Sequence, residues 1–242
     1  MVVEISDLTE GQAQSWKGLL AVAALVPKGW CLVGGQMVHL HCWERGEFPN
    51  RPTDDADAVL DVRAHPNMLA VFTEALSRVG FRSDGESWEG HQHRWVRDQA
   101  QIDVLIPRSL GERARLRKGV TGGTTLETPG AQGAIDRSEP ITVKVDGVSG
   151  VIHRPSLLGA LVMKSAAYCV TQDRYRGRHL IDIAVLCSLL RASDVLSPAP
   201  TSREIRRIAV ALGALESEEG SLASIAGATD GVRRARVVLG VG

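Results

Sequence analysis

Five residues in the first half of the chain have types and spacings suited to chemistry. Gly34 and Gly35 follow the apolar run Trp30 to Val33, Asp55 and Asp57 flank Ala56, and Asp103 lies inside the alternating segment Gln101 to Ile106. Successive side chains of an extended strand point to opposite faces, so Asp55 and Asp57 are expected on one face and Asp54 and Ala56 on the other. Two carboxylates side by side repel, and beside an apolar core the pair is costly unless a cation holds it. Hard oxygen donors at this density suit Mg²⁺ or Mn²⁺. A two-metal site for moving a phosphoryl centre needs two acids that bridge both ions and a third that fixes the ion on the nucleophile's side. Asp55 and Asp57 suit the bridging role, and Asp103, entering from a neighbouring strand, suits the third. Gly34 and Gly35, without side chains, let backbone N–H groups approach a triphosphate near a helix start. The expected substrate is therefore an NTP.

Other roles for the same residues stay open at this level. A glycine pair after a strand also serves as a plain turn. Asp54, Asp55, Asp57 and Asp61 would also form a solvated acidic edge, with Asp103 paired to Arg94. His39 with His41, and His91 with His93, are close pairs, but zinc would need two more converging ligands, so they read as ordinary surface or core histidines. Arg113, Arg115, Arg117 and Lys118 form a basic cluster that would either grip RNA phosphates or stay solvated, as would Arg174, Arg176 and Arg178.

The elements that must position these groups follow from periodicity. Residues 9 to 25 carry Trp16, Leu19, Leu20 and Ala23 at helical spacing, Trp30 to Val33 reads as a strand, and Gln36 to Trp43 as a helix. Thr53 to Arg63 is expected as a second strand, His65 to Val79 as a helix, and Arg94 to Ile106 as a hairpin turning near Asp98. Gly111 to Arg137 is expected as a mobile loop. Ile141 to Val145 and Gly150 to His153 alternate around Asp146-Gly147, a hairpin signal. Leu157 to Val170, His179 to Leu190, Arg203 to Leu212 and Ser221 to Val238 all allow helices, with Ser197 to Pro200 as a separator. The order implies an α/β (α+β) fold with a small mixed sheet. A core over residues 1–153 would be followed by a helical region over 154–242.

Composition sets the outer limits. A chain of 242 residues, 44% hydrophobic, supplies a real core, and 28 basic residues balance 28 acidic ones, so any nucleic-acid contact must be local. No stretch has the order of a signal peptide or approaches the roughly 20 apolar residues of a membrane span, so a cytoplasmic protein without membrane contact is expected. Cys31, Cys42, Cys169 and Cys187 lack paired spacing and are expected as reduced, mostly buried thiols.

With Val33-Gly34-Gly35, Arg51-Pro-Thr-Asp-Asp-Ala-Asp57, Asp103, the run from Pro155 through Leu157-Leu158 to Lys164, and Leu180-Ile-Asp182-Ile in view, the chain resembles the AbiEii-like type IV toxin nucleotidyltransferases. This branch of the polymerase-beta superfamily includes mycobacterial toxins that modify tRNA. The resemblance covers most of residues 30 to 190. It implies that Thr53 and Lys164 help bind the nucleotide and that Asp182 supports the site. Read from the residues alone, Lys164 would equally snorkel to the surface, and Asp182 would pair with Arg178 at i to i+4 spacing. The family often carries Lys-Asp shortly before its last acid, where this chain has Arg178-His179. The insertion around Arg45 to Asn50 also lengthens the link from the glycines to the acids. The resemblance further implies tRNA as acceptor and a cognate antitoxin protein as partner. The alternatives are a small-molecule nucleotidyltransferase of the aminoglycoside-modifying kind, or a protein that binds a nucleotide or a partner without turnover.

Overall fold

The structure is a computed structural model that describes residues 2–49, 51–191, 194, 198–217, 222 and 224–241. In chain order the first half runs β1 (Val2–Ile5), α1 (Glu10–Leu25), β2 (Trp30–Val33), α2 (Gly34–Arg45), β3 (Ala56–Leu60), α3 (Met68–Arg78), β4 (Arg82–Ser83), β5 (Arg94–Arg97) and β6 (Ala100–Pro107). The rest runs α4 (Glu112–Arg115), β7 (Leu126–Thr128), α5 (Ala131–Ile135), β8 (Ser138–Val145), β9 (Val148–Pro155), α6 (Leu157–Tyr168), α7 (Gly177–Leu189), α8 (Ser202–Ser217) and α9 (Ala228–Leu239). The mixed α/β architecture is the one expected.

The main sheet has the order β2-β3-β6-β5-β4, with β3 and β6 parallel and the other neighbours antiparallel. β7 pairs with β6 from Leu105 onward, beyond the residues that β5 occupies. The pleat divides the sheet's side chains between two cores. Trp30, Leu32, Ala58, Leu60, Ile102 and Val104 pack with α1 and α3. Cys31, Val33 and Val59 point the other way, against Ala131 and Ala134 of α5 and Met163 of α6. A second sheet, β1-β8-β9, is closed by the Asp146-Gly147 turn, where both residues have positive φ. The helical region packs α6 on α7 and α8, and α7 on α9.

Local signals explain most boundaries. Thr9 and Gln12 cap α1 reciprocally, and Thr201 and Glu204 do the same for α8, satisfying N–H groups that a helix start leaves open. Asp98 turns the β5–β6 hairpin at φ +51°. Two expectations need correction. The strand after residue 53 spans only Ala56–Leu60, because Gln12 Nε2 and Gln36 Nε2 claim the Thr53 carbonyl (2.7 and 2.8 Å) ahead of it. The 111–137 segment is no plain loop: it holds α4, β7 and α5, and α5 covers the sheet. The separator's Ser197 and the Ser221 start of the last helix lie outside the described residues, and the helix is described from Ala228. The thiols match expectation: Cys31, Cys42 and Cys187 are buried, Cys169 is half-buried, and all four are free. Among the described residues no helix is long and apolar enough to cross a membrane.

Gln36 is the internal strut of this arrangement. It is buried, accepts from Trp16 Nε1 at 3.0 Å and donates to Thr53 O. Replacing Gln36 with Leu strands Trp16 Nε1 and leaves the Thr53 carbonyl with Gln12 alone, and an unsatisfied buried group costs about 1–3 kcal/mol. Urea denaturation of Gln36→Leu is expected to show a lower midpoint with an unchanged slope.

Candidate active site

One row of the sheet carries the chemistry. The register aligns Val33 with Asp57, Asp57 with Asp103 and Asp103 with Arg94 across β2, β3, β6 and β5. Asp57 shares a face with Val59, and Asp103 with Leu105, so both acids point toward the side covered by α5 and α6. Between that cover and the sheet lies a cavity of about 460 Å³, whose wall includes Gly34, Asp55, Asp57, Asp103 and Lys164. Asp55 stands just ahead of β3 rather than within it, and Thr53 Oγ1 donates to its Oδ1 at 3.0 Å. The three carboxylates bring oxygens within 4.8 Å of one another, the only such trio of His, Cys, Asp or Glu groups among the described residues. Asp103 is 6% exposed, Asp55 and Asp57 are half-buried, and Asp54 is exposed.

The glycine pair meets these acids at backbone level. Gly34 has φ +71°, and a Cβ there would overlap the Asp57 carboxylate; one at Gly35 would stand 2.5 Å from Thr53 Oγ1. Helix α2 begins at Gly34 with no side-chain cap, so its first N–H groups are open at the cavity wall. A phosphate would find both donors and the positive end of the helix dipole there.

The electrostatics favour a cation among the acids. Burial, then the charges of Asp55 and Asp103, push the Asp57 carboxyl up to about 7. Asp103 is compensated: Arg94 Nε and Nη2 donate to its two oxygens at 3.0 and 2.9 Å. The two arrangements open for Asp103 in the sequence therefore hold together, a place in the trio and an ion pair with Arg94. An all-oxygen donor set with one under-compensated acid fits Mg²⁺ or Mn²⁺.

Behind the acids, Asp182 joins two cations. Its Oδ2 accepts from Lys164 Nζ at 2.5 Å, and Arg51 donates through Nε and Nη2 at 2.8 and 3.0 Å. Lys164 is 5% exposed and Asp182 2%, so Lys164 does not snorkel to the surface and Asp182 does not pair with Arg178. Burial opposes its charge, but Lys164 and Arg51 together hold the Asp182 carboxyl below its usual range. Two cations on one carboxylate leave a net positive charge facing the acids. Arg178 instead lies near Asp173 at 3.9 Å, and both Arg178 and His179 line the cavity. Burial, then Lys164 and Arg178, lower the His179 imidazole to about 4, which keeps it neutral.

Arg51 was legible only as a neighbour of Thr53; its partner is 131 residues away, and no local pattern reports that distance. Arg94 was legible only as a partner for Asp103. The Arg113 to Lys118 cluster does not line the cavity. Arg117 bonds the Val62 carbonyl, beyond the end of β3 opposite Asp55. His39 and His41 bond the carbonyls of Arg51 and Pro155 at 2.8 and 3.1 Å, a structural use.

No protein-family model matches the chain, and neither does any curated protein. Among solved structures, an antigenic nucleotidyltransferase-like protein from Paracoccidioides brasiliensis aligns with a TM-score of 0.52 at 18% identity, covering 92% of this chain and 94% of that one. The antibiotic-resistance factor ANT(2'')-Ia aligns less closely. Its solution structure gives a TM-score of 0.43 at 16% identity, covering 88% of this chain and 95% of that one. Its crystal structure with adenylyl-2''-tobramycin gives 0.44 at 14%, covering 86% and 98%. With the first of these alignments spanning nearly the whole chain, the chain shares the fold of that nucleotidyltransferase-like protein.

Proposed function

We propose that this protein is a metal-dependent nucleotidyltransferase that moves a nucleotide from an NTP to an RNA acceptor, most plainly tRNA, as the toxin of a toxin–antitoxin pair. The observation that carries the chemistry is the trio Asp55, Asp57 and Asp103 beside the Gly34-Gly35 turn, in one cavity with Lys164. Similarity to the AbiEii-like sequence pattern supports the tRNA acceptor and the antitoxin.

In this reading Asp55, Asp57 and Asp103 hold Mg²⁺ or Mn²⁺, which when bound would neutralise triphosphate charge and activate the attacking hydroxyl. The remaining work belongs to the chain. The open N–H groups at the start of α2 take phosphate oxygens, and Gly34 and Gly35 admit them by having no Cβ. Lys164, held by Asp182, presents a fixed positive charge to the triphosphate, and Arg51 keeps Asp182 from neutralising it fully. Thr53 orients Asp55 through its hydroxyl. Such positioning, with charge in place before the reaction, is most of what phosphoryl transfer asks of a protein.

The deciding experiment incubates the protein with total tRNA, Mg²⁺ and each α-radiolabelled NTP, beside the double variant Asp55→Ala, Asp57→Ala. Label on tRNA is expected from the unmodified protein, reduced by about a hundredfold or more in the variant. Label on an aminoglycoside and on no RNA would replace the acceptor. Tight NTP binding without any transfer, unaffected by Asp55→Ala, would replace catalysis with binding.

The raised Asp57 pKa makes a second prediction. Between the usual 3.8 and about 7, the metal-free native state holds a proton that the unfolded chain has lost. Its stability should therefore fall as pH rises through that window and level off above it. Mg²⁺ replaces the proton, so the rise in Tm caused by Mg²⁺ should be larger at pH 8 than at pH 6. Thermal melts in EDTA and in Mg²⁺ across this range check both, and Asp57→Asn should flatten both dependences.

A further inference from the structure

A second cavity, of about 360 Å³, lies on the other side of α6 from the acids and shares Arg108, Pro129 and Val170 with the first as a common wall. Met163, Lys164 and Ala167 face the acidic cavity, while Val162, Ala166 and Cys169 face this one. Three arginines line it: Arg108, Arg203 and Arg207. Among the described residues none of the three guanidinium groups has a hydrogen bond or an ion pair within the chain; Arg108 and Arg203 are exposed, whereas Arg207 is half-buried, a setting in which Arg51 and Arg94 elsewhere in the fold are paired. The one acid on the wall, Glu204, is already engaged. Arg137 holds its two oxygens at 3.2 Å, Thr201 N donates to it at 2.7 Å, and against the cost of burial these partners keep its carboxyl below the usual range.

The placement is also unfavourable for an empty surface. Arg203 and Arg207 are four residues apart on α8, a like-charge pair that lowers helix stability. Arg203 also sits in the first turn, where the helix dipole prefers acids. Arg207 is only partly exposed; burial first, then Arg203, holds its guanidinium below its ordinary value, with Cys169 and Glu204 opposing and Arg108 adding to the push. Three cations kept together, with the one acid on the wall already held by Arg137, in a concave wall that opens beside the nucleotide cavity, have the chemistry of an oxyanion site.

We infer that the Arg108–Arg203–Arg207 cavity seats the phosphodiester backbone of the acceptor, so that the acceptor is a polyanion entering over the α6 edge. This rests on the nucleotidyl-transfer reading and narrows it. A polycationic acceptor such as an aminoglycoside would be repelled by this wall, whereas RNA would gain guanidinium–phosphate pairs. Arg108, on the wall common to both cavities, contacts the acceptor nearest the reacting end.

The test measures binding of fluorescein-labelled total tRNA to the full chain by anisotropy over a series of salt concentrations. Binding of a fluorescent NTP with Mg²⁺ is measured separately. The double variant Arg203→Ala, Arg207→Ala is expected to weaken tRNA binding about tenfold or more and to lower the slope of log K against log salt by about 1 to 2. NTP affinity should stay unchanged, and Tm should be unchanged or slightly higher because the like-charge pair is gone. Arg207→Lys, which keeps the charge, should retain most of the slope. Unchanged tRNA affinity and slope in the double variant, with NTP bound normally, would overturn the inference and leave nucleotidyl transfer standing. Equal losses of NTP and tRNA binding would also overturn it, by assigning the cavity to the nucleotide. Aminoglycoside binding strengthened by the double variant would overturn it in favour of a cationic acceptor. Failure of the unmodified protein to bind NTP would instead sink the parent reading.

Discussion

Three carboxylates within 4.8 Å of one another cannot all stay ionised without compensation, and much of this molecule is arranged around that fact. Each acid has a different support. Thr53 donates to Asp55, Arg94 grips Asp103, and Asp57, between them on the sheet and pressed against Gly34, has no cation of its own. Burial first, then the charges of Asp55 and Asp103, raise the Asp57 pKa. The sheet register makes this unavoidable, because parallel pairing of β3 and β6 sets Asp57 and Asp103 side by side.

The same need for compensation reaches into the helical region. Asp182 on α7 draws Lys164 from α6 and Arg51 from the segment before β3 onto one buried carboxylate. A buried group of this kind is weak evidence for stability, since desolvation consumes much of the attraction. Its value here is positional. It fixes the distance between the helical region and the strand that carries the acids, and it keeps the lysine ammonium pointed inward. Arg154 acts similarly between β9 and α2, pairing with Glu44 at 2.7 Å and Glu139 at 2.8 Å.

Much of the site was legible in the sequence because its parts are local. The strand–Gly-Gly–helix unit and the acid in an alternating strand report themselves through short-range sterics and the period of two. Asp55 and Asp57 do converge, though by a different route from simple alternation, since Asp55 precedes the strand and is held by Thr53. What was not legible depends on distance in sequence or on elements too short for periodicity. β1 finds a parallel partner in β8 more than a hundred residues later, and β7 and α5 are three and five residues long. The partners of Asp182 and the gathering of Arg108 beside Arg203 and Arg207 are likewise properties of the assembled surface.

The Arg94–Asp103 pair gives cation entry the character of an exchange. A bare divalent ion that engages Asp103 must share it with, or take it from, a guanidinium already bonded to both oxygens. An ion arriving with a triphosphate brings anionic oxygens that can accept the displaced guanidinium's donors. Gln101 stands ready as well: with its amide oxygen turned inward it accepts from Arg94 at 3.0 and 3.1 Å. Were a metal and a triphosphate to bind as proposed, they would favour each other through this one side chain, and by thermodynamic reciprocity each would raise the affinity of the other by the same factor. On the proposed function, the resting protein would hold its acids in a guarded state that the complete substrate, rather than the ion alone, is best able to open.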